Sequence, residues 1–330
     1  MSDTIIAIEH REPEITEIRV KGKALSVPSV EIEGKTVLTT HKWLKIATVR
    51  DEELIEGDTV REPGSFVSQL KKSGFKADIL TFGQRIPDVT PKYRHPMEWE
   101  NAAAIPITTF SHWLKERAEY SIRKGVNRAK KLGVVAMTVD FDDCLLKSIC
   151  RIYDETPVRQ GKSFWHYGKD IRSIKRALAT YLDRSTFIGA YYEGELIGFM
   201  KITWVGPAGV ITQILSMKTH FDKKPNNSLI AKAIEICESK GKSHFIYGSF
   251  VYYDENSTLT EFKRRIGFES VPLPRYYIPL SLKGSIALKL GLHRGVAGNT
   301  PKLILRQFLK IRKLWFTYRL KSRKQNVPSA

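Results

Sequence analysis

The feature that most constrains the fold is the succession of apolar runs between residues 186 and 268. Thr186–Tyr192 and Leu196–Trp204 are rich in β-branched and aromatic residues, and Glu193-Gly194 makes a tight turn between them. Val210–Met217 is a third run of the same kind. The period then changes. From Asn227 to Lys240, Leu229, Ile230, Ala233, Ile234 and Cys237 recur at helical spacing, and Gly241 ends the pattern. His244–Gly248 reads as a short buried strand, Thr258–Ile266 as a helix, Gly267-Phe268 as a turn and Tyr276–Leu280 as a last strand.

The chain upstream of this stretch is organised in two ways. Thr109–Leu132 reads as one helix that Ser111 can cap, with Trp113, Leu114, Tyr120 and Val126 as apolar positions and Gly133 as its stop. Val134–Val139 is a strand, Asp142–Thr156 a helix, Pro157–Gly168 a loop and Asp170–Leu182 a further helix. The first hundred residues are β-rich instead. Ser29–Glu33 and Thr36–Thr40 flank a Gly34-Lys35 turn, and Trp43–Val49 and Ala77–Phe82 are strand candidates. Pro63–Ser73 is a helix with Phe66, Val67 and Leu70 on one side, and Pro87–Pro96 is a loop. Residues 1–30 are weakly patterned, and no internal repeat of 20–50 residues is visible. Three parts are therefore expected: a β-rich part at 1–105, a domain at 106–282 and a basic tail at 283–330.

The charge is uneven. The chain carries a net +19, and from Ser281 to the end there are twelve Lys or Arg and no Asp or Glu. Such a tail seeks anions: phospholipid headgroups, tRNA or a phosphorylated substrate. Within 301–324, Ile304, Phe308, Ile311, Trp315 and Tyr318 recur at helical steps opposite Lys302, Arg306, Lys310 and Lys313. That is the pattern of an interfacial helix on an anionic membrane. No run of about 18 apolar residues occurs, and the first residues lack the pattern of a secretory signal. Cys144, Cys150 and Cys237 lack metal-ligand spacing and read as reduced thiols, which points to the cytoplasm, with peripheral attachment to the inner face of a membrane, and to no metal.

Three stretches carry a resemblance. They are Arg117–Val134, a basic helix running into a Gly-Val strand start; Pro225–Glu235 with Lys240-Gly241 and the strand ending at Tyr247-Gly248; and Leu259–Glu269, with Phe262-Lys263 before Gly267-Phe268. In order and spacing they resemble the GNAT acyltransferase superfamily, in its branch of Fem-type aminoacyltransferases and acetyltransferase-like domains, over about residues 100–280. The resemblance implies an α+β (α/β) fold: a mixed, mostly antiparallel sheet flanked by helices. It implies direct attack of an amine on a bound acyl ester or thioester, with acyl-CoA or aminoacyl-tRNA as donor and a small molecule or cell-envelope precursor as the amine-bearing acceptor. Fem-type enzymes carry two such domains, so residues 1–105 would be a truncated half. No glycine-rich loop precedes the Asn227 helix; the place reads Lys218–Ser228. A CoA pyrophosphate would there have to be held by Lys218, His220, Asn226, Asn227 and Ser228. A non-catalytic GNAT-like module binding tRNA or an anionic membrane is the alternative from another class.

The reaction needs a polarised carbonyl, a route for the amine proton and an acid for the leaving group, and no nucleophile triad. Tyr247, Ser249 and Tyr253, at the carboxyl end of a buried strand, are the catalytic candidates, with Lys263 from the resemblance. Arg159, Gln160, Trp165, His166 and Tyr167 form a polar and aromatic loop suited to binding an acceptor, and Arg123 matches a family position on the basic helix. A catalytic domain would show a deep cleft lined by Tyr247, Ser249 and Lys263; a binding module would show a closed strand end.

Overall fold

The computed structural model describes residues 13–20, 23–40, 43–159, 161–252 and 257–294. They form two compact units, 13–100 with 273–294 and 101–272. The expected amphipathic tail at 301–324, Gln160 and Tyr253 lie outside the described residues.

In the first unit, β1 (Glu14–Val20), β2 (Lys23–Ile32), β3 (Lys35–Thr40) and β4 (Ile46–Val49) are successive antiparallel neighbours. Helix α1 (Pro63–Lys72) then crosses over to β5 (Ile79–Gly83), which runs parallel to β4. Pro63 presets the first turn of α1, Phe66 and Leu70 are buried, and Lys71 and Lys72 lie at the negative end of its dipole. Strand β6 (Met97–Pro106) carries the chain into the second unit, and β14 (Glu269–Pro279) brings it back to pair antiparallel with β5. Arg275 of β14 is fixed between Glu52 and Glu100. Helix α8 (Leu282–Lys289) closes the unit. Its cap, Ser281, accepts from the Gly284 amide and donates to Asp78 at the start of β5.

The second unit holds the helices. A single turn α2 (Phe110–His112) and a wide π-turn at Trp113–Arg117 lead to α3 (Tyr120–Lys131), β7 (Val135–Val139) and α4 (Asp143–Asp154). A ribbon of β8 (Val158–Arg159) and β9 (Lys162–Ser163) precedes α5 (Ile171–Leu178). The strands β10 (Ser185–Tyr192), β11 (Glu195–Val205) and β12 (Ala208–Ser216) follow, then α6 (Pro225–Ser239), β13 (His244–Ser249) and α7 (Thr258–Ile266). The strand order is β6-β13-β12-β11-β10-β7, with β12 and β13 the parallel pair and α6 their crossover. Leu229, Ile230 and Ile234 of α6 pack on Ile197, Ile202 and Phe245 of the sheet. The apolar runs read from the sequence are therefore strands buried on a helix-covered sheet.

The two units share a strand succession, although no repeat in the sequence marks it. Four antiparallel strands are followed by a parallel crossover and then an antiparallel closing strand. The first unit goes from β1 to β2 directly, where the second inserts α4 and α5 between β7 and β10. The closing strands are exchanged: β6, next after β5, pairs with β13, and β14, next after β13, pairs with β5. The last strand, placed by sequence in the 106–282 domain, thus belongs over its second half to the first unit, as does α8, placed in the tail.

One helix departs from expectation. Thr109–Leu132 is not continuous: Thr109, not Ser111, caps the first turn, and the backbone is extended at Ala118. The reason is tertiary. The indole of buried Trp113 donates to the Ile266 carbonyl at 2.8 Å, and the Glu119 amide donates to the Arg265 carbonyl at 2.9 Å. These anchors stop one helix and start the next.

Candidate functional site

The parallel pair β12 and β13 creates the site. Their pairing runs from Ala208↔His244 to Val210↔Ile246 and goes no further. Each strand then carries one extra residue against its other neighbour. Lys201 faces Gln213 while Ile202 faces Ile211, so Thr212 bulges from β12. Ile246 faces Ala104 while Ser249 faces Ala102, so β13 bulges at Tyr247-Gly248. Bulges bend strands and raise their twist, so the two carboxyl ends part where the bulges begin. The opening lies outside the carboxyl ends of parallel strands, where open α/β sheets bind ligands.

Lys263 holds the bulge of β13. Its ammonium donates to the Tyr247 carbonyl at 2.7 Å and to the Ser249 carbonyl at 2.6 Å. It also lies 4.5 Å and 4.9 Å from the ring centres of Tyr247 and Tyr252. The residue is 0% exposed, and burial pushes its pKa down to about 8. Gly248 takes φ +54°, and a Cβ there would meet the Tyr252 hydroxyl at 2.3 Å. Asn101 fixes the chain beyond the bulge, accepting from the Phe250 amide on its carbonyl and from the Val251 amide on its side chain. Burial raises the Tyr247 phenol to about 12, so it remains a donor at neutral pH. The structure therefore brings Tyr247, Ser249 and Lys263 together. Among the described residues, a cavity of about 450 Å³ in each unit is lined by none of these three residues. As it stands, Lys263 positions the strand end and does not reach out of it.

The residues expected to bind an acceptor form a second cluster. Arg159 pairs with Glu155 at 3.0 Å, donates to the Ile152 and Ser216 carbonyls and lies over Phe164. It thereby ties α4 and β8 to the end of β12. His166 is buried among Tyr153, Phe164 and Trp165, whereas Trp165 and Tyr167 are largely exposed. Burial, with Lys169 and Arg159 adding repulsion, pushes the His166 pKa from 6.5 to about 3. The unfolded chain thus takes up a proton near pH 6.5 that the folded chain refuses until about pH 3, so stability falls as the pH drops through that window. Denaturation midpoints measured across it are expected to decline for the parent and to decline less for His166→Phe; parallel curves would show that His166 is not the group. Arg123 is remote from both clusters in role: it donates to the Lys115 and Ala118 carbonyls and so caps the π-turn.

The expected phosphate-holding segment lies at the carboxyl end of β12. Lys218 donates to the Val158 carbonyl, and His220 lies beside Tyr192 in a 3₁₀ turn at Lys218–Lys223. Asn227 packs against Gly125 where α3 meets α6. Pro225 has no amide proton, and the Asn227 and Ser228 amides donate to the Lys224 carbonyl. The Asn226 side-chain oxygen is buried without a hydrogen-bond partner among the described residues. The start of α6 therefore offers few free amides for a pyrophosphate, and its residues fit CoA poorly. Among the described residues no group of His, Cys, Asp or Glu is arranged to hold a metal, and no helix is long and apolar enough to cross a membrane.

Sequence reasoning missed both bulges, Asn101 and the buried Lys201. The Lys201 ammonium donates to the Leu178 carbonyl at the end of α5, and its pKa is pushed down to about 8 by burial. A glycine inside a strand, as in Tyr247-Gly248-Ser249, is a signal for a bulge. Thr212 gives no comparable signal.

Solved structures share this fold. FemX superposes with a TM-score of 0.54 at 11% identity, over 84% of this chain and 90% of its own. L-PGS from Bacillus licheniformis gives 0.52 at 14%, over 83% and 90%. A domain from Agrobacterium fabrum, described as the C-terminal domain of a lysylphosphatidylglycerol synthetase, gives 0.52 at 13%, over 80% and 87%. The chain has the GNAT/Fem-like acyltransferase fold. No protein-family model matches the sequence, and the curated proteins give no match.

Proposed function

We propose that this protein moves an acyl or aminoacyl group onto an amine by direct attack, with the reaction at the parted ends of β12 and β13. The observation that supports this reading most is the paired bulge at Thr212 and Tyr247-Gly248, closed from behind by Lys263. An irregular strand end held by a fully buried cation is a built feature. A donor lying across it would face the protonated Tyr247 phenol and the Ser249 hydroxyl. Lys263 acts as a positioning residue, and Tyr253, from the same segment, is a further candidate. The aromatic loop bearing Trp165 and Tyr167, with Gln160, would hold the amine-bearing acceptor, a small molecule or cell-envelope precursor.

The donor favoured is an aminoacyl-tRNA. The net charge of +19 suits a polyanion, and the start of α6 offers few free amides to a CoA pyrophosphate. The named likenesses to FemX and to lysylphosphatidylglycerol synthetases accord with an aminoacyl donor. Attachment to the inner face of a membrane through 301–324 would place the enzyme beside a lipid-linked acceptor. A second reading, a non-catalytic module, is favoured by one observation: Lys263 is sealed from solvent.

Calorimetric titration of the full chain with CoA, acetyl-CoA, charged tRNA and uncharged tRNA at moderate salt tests these readings. Preference for charged tRNA over uncharged, with no CoA binding, is the expected result. Micromolar competitive binding of CoA and acetyl-CoA would move the donor to acyl-CoA and the phosphate site to Lys218–Ser228. Equal affinity for charged and uncharged tRNA would sink the transferase reading in favour of a binding module.

A further inference from the structure

We propose that α8 and Trp43 form a docking face for an anionic lipid bilayer. Helix α8 packs on the first unit through Gly284 and Ala287, which meet Asp78, Ile79 and Leu44. Its other side is also apolar. Leu282, Ile286 and Leu290 are 78%, 49% and 64% exposed. They recur every four residues, so they form one stripe along the helix. Trp43 is 63% exposed and is held beside this stripe. Its carbonyl accepts from the Lys283 ammonium, which lies 5.2 Å from the centre of its ring. Three large aliphatic side chains and an indole in water on one face form a patch of the kind that marks a contact surface.

The charges around the patch select the partner. Lys283 and Lys289 flank the stripe on the helix itself. Beside Trp43, a cavity of about 450 Å³ is lined by Lys45, Lys71, Lys76 and Lys283. Its one acid, Asp78, is engaged by the Lys45 amide, the Ser281 hydroxyl and Lys283. An apolar stripe with an indole at its margin and lysines on both sides matches a leaflet of acyl chains beneath anionic headgroups. The lysines would meet phosphate while Leu282, Ile286, Leu290 and Trp43 enter the headgroup–acyl boundary. Other occupants lack this complementarity. A second copy of a chain with net charge +19 brings like charge to the patch. Residues 295–330 do the same, with nine Lys or Arg and no acid. Docking through α8 requires no catalytic activity of the other unit, so the two are tested separately.

Flotation of the full chain is measured with vesicles of phosphatidylcholine alone and of phosphatidylcholine mixed with phosphatidylglycerol. The intact protein is expected to partition at least about tenfold more strongly into the anionic vesicles. Leu282→Glu with Ile286→Glu is expected to lower that partition at least about tenfold, with an unchanged unfolding midpoint, because both side chains face water. Trp43→Phe is expected to remove part of the blue shift that anionic vesicles induce in tryptophan emission, a second readout that needs no charge change. A tail variant, Phe308→Glu with Trp315→Glu, is expected to keep more binding than the α8 variant. Equal partition of the intact protein into neutral and anionic vesicles would overturn the proposal. So would parent-like flotation of the α8 variant, or a loss in that variant of tRNA binding with vesicle binding intact.

Discussion

Replacing Lys263 by Met is expected to weaken folding by about 2 kcal/mol and to abolish most of any acyl transfer. Two carbonyls, those of Tyr247 and Ser249, accept from this one ammonium. Each left bare and buried costs about 1–3 kcal/mol, and part of that is offset because no charge is any longer kept out of water. The functional loss should be larger. A displacement of about 1 Å at reacting groups costs about a hundredfold. The readouts are a urea midpoint, amide exchange at 247–252, and kcat separately from KM in the donor assay. A pH series adds a specific mark. The folded Lys263 loses its proton near 8, below its ordinary 10.5. Between those values the unfolded chain binds more protons, so stability rises with pH. Lys201 behaves alike, so Lys263→Met should remove part of the slope and keep the rest. A variant with parent-like exchange at 247–252 would refute the positioning role.

The substitution expected to cost most is Gly284→Ala. A Cβ at Gly284 would stand 1.9 Å from the Asp78 carbonyl oxygen and 2.8 Å from its carbon. Both are backbone atoms at the entry to β5, a fully buried strand, and cannot yield as a side-chain tip can. Overpacking commonly costs about 1–3 kcal/mol and occasionally more; here more than about 3 kcal/mol is expected, because α8 must lift from the unit to accommodate one methyl. Gly64→Ala is the control. It lies in α1 with nothing within 4 Å of its Cβ, and the change should be neutral or stabilise by up to about 1 kcal/mol. Thermal midpoints of the two variants compare them directly. Similar midpoints would mean that α8 is not packed as described.

The second unit was legible where local pattern and tertiary structure agree. Helix α7 falls on Thr258–Ile266 as read, because Ser257 caps it and Gly267 ends it at φ +97°. Strands β10 to β12 were legible as apolar runs with a glycine turn. The missed elements each hide behind a residue type. Strand β6 is built on Ala102-Ala103-Ala104, which favour helix as readily as strand, and β14 carries three prolines. Strand β1 alternates with glutamates and leaves Ile15 exposed. In the site, Tyr247 and Ser249 came from their place at a strand end and Lys263 from the resemblance, but the purpose of the lysine came from neither. The sequence places a lysine near a strand end; only the backbone shows that its partners are carbonyls. Likewise Arg123 and Arg159, expected to bind substrate, are bonded to carbonyls at helix and strand ends.

The exchange of closing strands bears on how the chain is made. Strand β5 acquires its second neighbour only when β14 exists, roughly two hundred residues after Gly83. At roughly 5–20 residues per second that is a wait of roughly ten to forty seconds on a translating ribosome. Throughout it the nascent amino-terminal unit presents an open edge at Ile79–Gly83, a strand that is buried along its whole length in the finished fold. The intervening unit can condense meanwhile, because its own sheet is complete once β13 meets β6. Synthesis therefore finishes the second unit first and the first unit last, and the late arrival of one proline-marked segment decides whether the earliest-made strands are sheltered or left to seek partners on another nascent chain.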